Sequence, residues 1–279
     1  MASSKRVILA EDVKLLMSQV AGHTHDKEKS TPGMLKHKDG NILKPLLKPV
    51  QAKTEIEFYE GIATSPHAAL LSFVPKYYGI GSITLQSFRG EVLILEDVSA
   101  NFQKPCIMDI KIGRQTWDPY APPSKRESEE KKYMECKRDL GFCIPGFQVY
   151  EPESWQLTKF DKKYGKSLNQ KTIRNAFSTF LNLDKKENAA CIIEEFISQL
   201  KRIFNIISQQ ISLHLYSSSI LLMYDCAQLG SNIEPAVWAH VRMIDFAHTF
   251  TGDSHDKGPD KNYLHGLENL IQVLSGLKS

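Results

Sequence analysis

The chain of 279 residues lacks several features by which common classes of protein are recognised. Its five cysteines include no Cys-x-x-Cys pair, so neither a disulfide framework nor a zinc site is indicated. No window approaches the roughly 18 uncharged apolar residues of a membrane span. The N-terminus also lacks an apolar stretch of the length that a signal peptide needs. We therefore expect a soluble, intracellular protein with reduced thiols.

The chain also has little excess charge. Its formal net charge is only +3, with 24% charged residues. A dedicated nucleic-acid binder usually shows a stronger basic bias, so no nucleic-acid partner is expected and any anionic ligand must be met locally. The hydrophobic residues, 42% of the chain, suffice for a sizeable core and for more than one lobe.

Several familiar catalytic motifs are absent or incomplete. Gly165-Lys166-Ser167 resembles the end of a phosphate loop, but the required earlier glycine is replaced by Phe160. No Gly-x-Ser-x-Gly elbow occurs, so serine hydrolase chemistry has no support. The His-Arg-Asp and Asp-Phe-Gly motifs are missing as well, and the chain is therefore not a protein kinase by that signature.

The pattern of hydrophobic residues changes near residue 98 and predicts two lobes. We expect an N-terminal tail or short helix over 1–17, an N-lobe over 18–98 and a C-lobe over 99–279. The N-lobe pattern predicts mostly strands, with a hairpin over 34–46 around Asp39-Gly40 and one helix over 54–62. The C-lobe pattern predicts a strand over 104–112, a charged helix over 124–140 with Ser124 as N-cap, a long helix over 190–207, strands over 217–225 and 241–250, and a helix over 262–277.

The strand at 104–112 carries two opposite charges within an apolar run. Side chains alternate along a strand, so Ile107, Asp109 and Lys111 should share one face. The apolar residues Met108, Ile110 and Ile112 should share the other. The two charged side chains would then stand roughly 7 Å apart along the strand.

Four further charged positions follow an order that is typical of nucleotide-binding kinases. Lys44 lies on a predicted strand, Glu55 on the next helix, Glu96 at the lobe junction and Asp245 at the end of a late strand. A strand lysine tied to a helix carboxylate holds nucleotide phosphates in protein kinases. An aspartate at a strand end suits Mg²⁺, which prefers hard oxygen ligands. Taken singly, each of these charges is better explained by a surface salt bridge, but their order along the chain favours a shared site.

Together these segments resemble the inositol polyphosphate kinase family. Pro105-x-x-x-Asp109-x-Lys111-x-Gly113 matches the P-x-x-x-D-x-K-x-G signature of that family. The resemblance runs from about residue 19 to the C-terminus and is closest to the multikinase branch. Its supporting segments are QVAGH (19–23), ILKPL (42–46), EIEFYE (55–60), PKYYGI (75–80), LEDV (95–98), SSILLMY (218–224), IDFAH (244–248) and GLENLI (266–271).

The resemblance implies an α+β, two-lobed fold similar to that of protein kinases, with ATP bound between a smaller sheet-rich N-lobe and a larger mixed C-lobe. Lys44 would touch the ATP phosphates, and Glu55 would steady Lys44. Asp109 would bind the ribose hydroxyls, and Asp245 would hold Mg²⁺. The remaining ATP contacts implied by the family are the backbone groups of Glu96 and Val98 and an apolar wall of Met34, Ile42, Pro75, Ile107, Leu222 and Ile244.

The resemblance also implies a site for inositol phosphates beside the nucleotide. Lys111 would lie at the transferred phosphate, where an ammonium offsets developing negative charge. His248 would reach the inositol phosphates or the attacking hydroxyl. The segment 124–140 would form the substrate wall, with Lys125, Ser128 and Lys132 on one helical face. Glu129 and Gln148 depart from the residues that are usual in multikinases, and both could alter the choice of substrate.

The implied activity is that of a multikinase that uses ATP and Mg²⁺ to phosphorylate inositol 1,4,5-trisphosphate and tetrakisphosphate to the pentakisphosphate. Two alternatives remain open at this stage. One is an inositol hexakisphosphate kinase that makes a pyrophosphate, and the other is a catalytically inactive scaffold that binds inositol phosphates. We further expect a monomer in the cytoplasm or the nucleus.

Overall fold

The computed structural model describes residues 6–22, 32–86, 88–185, 189–251 and 258–278. These residues form strands and helices in alternating groups. The strands are β1 (Arg6–Ile8), β2 (Val13–Leu15), β3 (Leu35–His37), β4 (Ile42–Pro45), β5 (Tyr77–Thr84), β6 (Arg89–Leu95), β7 (Pro105–Ile112), β8 (Phe142–Tyr150), β9 (Leu157–Phe160), β10 (Leu213–Leu215), β11 (Ser219–Asp225), β12 (Ala239–Ile244) and β13 (Thr249–Thr251). The α-helices are α1 (Pro49–Gly61), α2 (Pro123–Lys131), α3 (Met134–Leu140), α4 (Lys162–Ser167), α5 (Ile173–Leu181), α6 (Ala189–Gln209) and α7 (Lys261–Ser275).

The first sheet has six strands in the order β1-β5-β6-β4-β3-β2. Its two edge strands, β1 and β2, are separated in the chain by only the short turn of 3₁₀ helix at Ala10–Asp12, so the sheet must curl until its edges approach each other. The inner face encloses a small apolar core of its own, formed by Ile8, Leu35, Leu43, Ile83, Val92 and Ile94.

The expected N-terminal tail or short helix over 1–17 is wrong for the residues that the structure describes. Arg6–Ile8 pairs in parallel with β5, and Val13–Leu15 pairs in antiparallel with β3. Residues 1–5 lie outside the described part of the chain. Two three-residue strands that pair with distant segments leave no periodic pattern long enough to identify from sequence. The first lobe therefore begins before residue 18, and its expected boundary at residue 98 stays a prediction.

The predicted hairpin and first helix are confirmed. β3 and β4 pair in antiparallel around Gly40, whose φ of +95° suits a residue without a Cβ. α1 begins at Pro49, a residue that is favoured at the first helical position because it has no amide to leave unpaired. α1 buries Glu55 along with its aromatic residues. A carboxylate buried in this way needs a partner, which the site supplies.

The second sheet has five strands in the order β12-β11-β7-β8-β9, so the signature strand β7 lies at its centre. Met108, Ile110 and Ile112 are fully buried on one face, where they join the main apolar core. The opposite face carries Asp109 and Lys111, as the alternation predicts. The second sheet therefore presents a charged stripe on the face opposite its core.

The charged segment 124–140 is not one helix. α2 ends at Lys131, and Tyr133 adopts the left-handed conformation with φ of 53° before α3 begins at Met134. Pro122, not Ser124, precedes the first helical residue as N-cap. α2 buries none of its residues, whereas α3 buries Cys136 and Leu140. The turn at Tyr133 redirects the chain so that the few apolar residues reach the core, and this tertiary packing outweighs local helix propensity.

An aromatic contact joins α1 to the segment that follows β12. Phe246 stacks on Phe58 with 3.8 Å between ring centroids and meets Tyr59 edge-on. This packing fixes the end of β12 against α1, and both carry residues of the proposed site. The predicted helices over 190–207 and 262–277 are confirmed as α6 and α7. No helix in the described ranges has both the length and the apolar character to cross a membrane.

Candidate active site

Lys44 forms an ion triad with two carboxylates from different parts of the chain. Its Nζ donates to Glu55 Oε1 on α1 and to Asp245 Oδ1 after β12, at 2.6 Å each. Burial alone would lower the pKa of Lys44, but Asp245 and Glu55 outweigh it and hold that pKa above its ordinary value. Lys44 is therefore a permanent cation at physiological pH, as a phosphate-binding lysine must be.

The two carboxylates of the triad are held differently. The Glu55 side chain is only 3% exposed, and its Oε1 also accepts a hydrogen bond from the Phe246 amide at 3.2 Å. The Asp245 side chain is 38% exposed, and its backbone has a φ of +65°. Ser218 stabilises this strained position by donating to the Asp245 carbonyl at 2.9 Å. Non-glycine residues in the left-handed region cluster at functional sites, where surrounding contacts maintain them.

Asp109 is a buried carboxylate close to the triad. It is 6% exposed, and among the described residues its Oδ1 has no hydrogen-bond partner. Burial and repulsion from Asp245 raise the pKa of Asp109 to about 6, while Lys111 opposes the rise. A carboxylate kept ionised at this cost, with an acceptor oxygen left over, is suited to receive hydrogen bonds from a ligand.

Asp245 is suited to a divalent cation. Its negative charge raises the pKa of Asp109, and a cation bound at Asp245 would weaken that repulsion. No group of three or more His, Cys, Asp or Glu side chains within the described ranges could cage a metal without help. Mg²⁺ commonly binds through one or two carboxylates, with water and substrate phosphates completing its coordination. The donor set is therefore of the kind that shares a metal with a phosphorylated ligand.

Lys111 is positioned by a strained turn. Its Nζ donates to the Ser217 carbonyl at 3.2 Å, and Ser217 has a φ of +56°. The Ser217 hydroxyl in turn donates to the Thr116 carbonyl at 2.8 Å. An irregularity in the pairing of β7 with β8 falls between Asp109 and Lys111. Bulges of this kind re-aim side chains beside active sites.

His248 lies near the same lysine and bonds to an acid that sequence reasoning missed. His248 Nδ1 and Asp118 Oδ2 are 2.8 Å apart. Burial and the positive charges of Lys125 and Lys111 lower the pKa of His248, and Asp118 partly opposes this. Asp118 stands in a loop between predicted elements, without a motif that would have identified it.

The substrate wall differs from the expected one. Lys125 is half-buried, but Ser128 is exposed and Lys132 lies beyond the end of α2, so these three residues do not share a helical face. Glu129 lies one helical turn after Lys125 on the same face of α2, and it is half-buried as Lys125 is. Glu129 Oε1 pairs with Lys132 Nζ at 2.7 Å, and Oε2 accepts from the Thr116 hydroxyl at 3.4 Å. The wall thus contains a carboxylate among its cations.

Two further lysines strengthen the positive charge of this region, and the sequence did not reveal either. Lys137 on α3 is 3% exposed, and its Nζ bonds to the Glu129 carbonyl. Lys162 on α4 donates to the Gly22 carbonyl at 2.5 Å. Burial lowers the pKa of both lysines, and repulsion from Lys111 and Lys132 adds to that effect. Mutual repulsion among ammonium groups indicates a region that is complementary to an anionic ligand.

The segment after β6 has backbone groups free to meet a ligand. The Glu96 amide donates to the Lys76 carbonyl at 2.9 Å, and the Glu96 carboxylate accepts from the Lys76 amide at 3.1 Å. In the described residues, no hydrogen bond uses the Glu96 carbonyl or the Val98 amide. One acceptor and one donor two residues apart match the pattern that an adenine edge requires.

Most of the expected apolar wall lies on suitable elements. Ile42 shares a face of β4 with Lys44, and Ile107 shares a face of β7 with Asp109. Ile244 is half-buried immediately before Asp245. Two of the remaining three members, Met34 and Pro75, are half-buried and buried respectively. These placements agree with the expected roles but do not test them.

Leu222 is the exception, because it lies on the wrong face of the second sheet. It pairs with Met108 and is fully buried in the core. Leu221 is the residue directly opposite Asp109, and it is half-buried. A shift of one residue along a strand moves a side chain to the other face, so Leu221 replaces Leu222 as the candidate wall residue.

Gln148 does not belong to the substrate wall. It is 2% exposed on β8, and its Nε2 donates to the Pro105 carbonyl at 2.8 Å. It pairs with Ile107, four residues from Lys111 along β7. Gln148 therefore lies away from the lysines around Lys111, in contrast to Glu129.

Comparison with known proteins shows which family the chain is related to. The model of the inositol polyphosphate kinase family matches residues 92–275, which include the signature strand, the substrate wall and Asp245. The chain belongs to the inositol polyphosphate kinase family. The resemblance predicted from Asp109, Lys111 and the segments around them is thereby confirmed.

Individual relatives extend the comparison. The chain is 34% identical to the human inositol polyphosphate multikinase over 75% of this chain and 50% of that protein. It is 34% identical to the mouse inositol hexakisphosphate kinase 3 over 68% of this chain and 52% of that protein. The chain thus spans about half the length of these curated relatives.

A solved structure shares the fold. The inositol phosphate multikinase Ipk2 from S. cerevisiae, determined in complex with ADP and Mn²⁺, aligns with a TM-score of 0.69 and 24% sequence identity. The alignment covers 86% of this chain and 99% of that one. The predicted α+β fold of the inositol polyphosphate kinase type is therefore confirmed.

Proposed function

We propose that the protein is an ATP-dependent kinase of the multikinase type, which phosphorylates inositol 1,4,5-trisphosphate and tetrakisphosphate to the pentakisphosphate. The observation that carries this proposal is that the fold brings together two sets of charged side chains. The Lys44 triad and Asp109 form one set, and the lysines around Lys111 form the other. The first set is suited to a nucleotide with its metal, and the second to a separate polyanion.

The nucleotide would lie between the first sheet and the charged face of the second. Glu96 and Val98 would bind adenine through their free backbone groups, and Asp109 would accept hydrogen bonds from the ribose. Lys44, held by Glu55, would bind the phosphates. Asp245 would hold Mg²⁺, which neutralises negative charge on the phosphates when bound.

Lys111 would act at the phosphate in transit. Its ammonium is anchored to Ser217 near the triad, so it can face both the γ-phosphate and the inositol hydroxyl. Phosphoryl transfer depends mostly on positioning and on stabilising charge that develops in the transition state. A fixed ammonium serves both needs.

Glu129 favours a multikinase over a hexakisphosphate kinase. Its carboxylate faces the substrate wall between Lys132 and Thr116, and several positive charges lower its pKa, which keeps it ionised. An ionised carboxylate repels a phosphate but accepts a hydrogen bond from a hydroxyl. Substrates that retain free hydroxyls therefore suit this wall better than a fully phosphorylated ring.

The scaffold alternative predicts binding without turnover. Release of ADP from ATP should be measured with and without inositol 1,4,5-trisphosphate, in the wild type and in the exposed-site control Asp139→Asn. The proposal expects ADP release that depends on the inositol phosphate and is equal in the two proteins. Tight binding of the inositol phosphate without any ADP release would establish the scaffold instead.

A monomeric state and a cytoplasmic or nuclear location stay predictions.

A further inference from the structure

The contact between His248 and Asp118 has the geometry of a base and its orienting acid. Asp118 is 9% exposed and holds His248 Nδ1 at 2.8 Å. Its other oxygen, Oδ1, accepts from the Tyr120 amide at 3.0 Å. The carboxylate is therefore fixed at both oxygens, one by the loop and one by the histidine.

The loop that carries Asp118 is tied to the rest of the site. The Thr116 carbonyl accepts from the hydroxyl of Ser217, the residue whose own carbonyl holds Lys111. Asp118 also accepts from the Ala121 amide through its backbone carbonyl at 3.0 Å. Ser217 thus places the Asp118 loop and Lys111 relative to each other, and a ligand near Lys111 would meet His248 in a fixed orientation.

The hydrogen bond determines which ring nitrogen of His248 is available. An ionised carboxylate can only accept, so Nδ1 carries the proton when the ring is neutral. Nε2 then holds the lone pair, and within the described part of the chain no hydrogen bond reaches it. The charged groups that act on the ring are Asp118 on one side and Lys125 and Lys111 on the other. The two lysines and burial favour the neutral ring, which is the form that can accept a proton.

We propose that Asp118 is a positioning residue that presents Nε2 of His248 as the general base for the attacking inositol hydroxyl. This inference rests on the proposed kinase function. In the step, the hydroxyl oxygen forms a bond to the γ-phosphorus of ATP as the bond from that phosphorus to the β,γ-bridging oxygen breaks. The hydroxyl proton passes to Nε2, and ADP leaves with the bond electrons. A positioned base of this kind commonly contributes on the order of 10²-fold or more to the rate.

The kinetic test is a double-mutant cycle. His248→Ala should lower kcat about 10²-fold, and Asp118→Asn should lower it about tenfold or more. The double variant should be no slower than His248→Ala, because Asp118 acts only through the histidine. In Asp118→Asn the acidic limb of the kcat/KM profile should move to lower pH, since the lost carboxylate stabilised the imidazolium. Additive losses, or a uniform loss with no shift in pH, would overturn the proposal.

A second measurement does not depend on turnover. Nitrogen-15 NMR of the ligand-free protein should show the His248 ring neutral at pH 8 with its proton on Nδ1, and Asp118→Asn should change this tautomer or mix it. Asp139→Asn, at an exposed ion pair with Arg138, is the matched control and should leave the spectrum unchanged. A proton on Nε2 in the wild type contradicts the inference even if the kinase is active. The expected tautomer in a protein without ADP release would instead locate the failure in the proposed function.

Discussion

Replacing Asp109 with asparagine should stabilise the protein while weakening its nucleotide site. The buried carboxylate has its pKa raised from an ordinary 3.8 to about 6. Because the folded state binds this proton more tightly than the unfolded state, ionisation of Asp109 costs stability. The cost is absent below about pH 4 and complete above about pH 6. At 1.36 kcal/mol for each pKa unit, a shift of about two units corresponds to ~3 kcal/mol.

Asp109→Asn removes the charge with little change of shape. At pH 7.5 its free energy of unfolding should exceed that of the wild type by ~1–3 kcal/mol, since the new amide recovers only part of the cost. At pH 4 the two proteins should be equal within about 0.5 kcal/mol. Urea unfolding at both pH values measures this difference. The exposed Asp139→Asn control should show little difference from the wild type at pH 7.5.

The same variant separates two accounts of Asp109 and Lys111. If the pair were only a structural salt bridge, Asp109→Asn would be destabilised at pH 7.5 and would bind every ligand in proportion to its folded fraction. With Asp109 as a ribose acceptor, affinity for a fluorescent ATP analogue should fall while affinity for inositol phosphate stays nearly unchanged. A less stable variant with normal nucleotide affinity would refute the reasoning.

The remaining predictions concern the metal, the transferred phosphate, the substrate wall and pH. Asp245→Asn should keep its melting temperature and lose turnover on the order of 10²-fold; near-normal rates at ordinary Mg²⁺ would remove its metal role. Lys111→Ala should lower kcat about 10²-fold or more with a smaller change in ATP affinity, and a loss in KM alone would contradict this role. Glu129→Gln should raise kcat/KM for inositol hexakisphosphate relative to the trisphosphate about tenfold or more, whereas an unchanged ratio would mean that the carboxylate does not select the substrate. The KM for ATP in the wild type should rise as the pH falls through about 6, where Asp109 gains its proton, and a flat profile would count against that pKa.

Elements with a long or punctuated pattern could be predicted from the sequence. The hairpin around Gly40 follows from its Asp-Gly turn, and the extended apolar periodicity of α6 and α7 identified both helices. The charged face of β7 was predictable because alternation within one strand needs only that strand. These signals are local, so they do not depend on how distant segments meet.

The predictions that were wrong concern segments whose local structure depends on contacts with distant parts of the chain. The strand Arg6–Ile8 exists because it pairs with β5, and three residues alone carry no such information. The break at Tyr133 depends on where the core lies beneath α3. Leu222 was misplaced because the face of β11 depends on its pairing with β7, and an error of one residue reverses it.

The site shows the same division. Lys44, Glu55 and Asp245 could be ordered from sequence through the family motifs, and the structure brings all three side chains together. Asp118 could not be identified, because it lies in a loop and meets His248 across a separation of 130 residues. A side chain that only orients another side chain, as Asp118 does, rarely belongs to a recognisable sequence motif. Such a residue is identified from the structure.

We propose that this site transfers phosphate from ATP to inositol polyphosphates that retain free hydroxyls. Chromatography of the products after incubation with ATP and Mg²⁺ tests it most directly, with inositol 1,4,5-trisphosphate and inositol hexakisphosphate supplied in parallel. We expect tetrakisphosphate and then pentakisphosphate to accumulate from the trisphosphate, with little pyrophosphate formed from the hexakisphosphate. Efficient conversion of the hexakisphosphate alone, or no new product from either substrate, would contradict the claim.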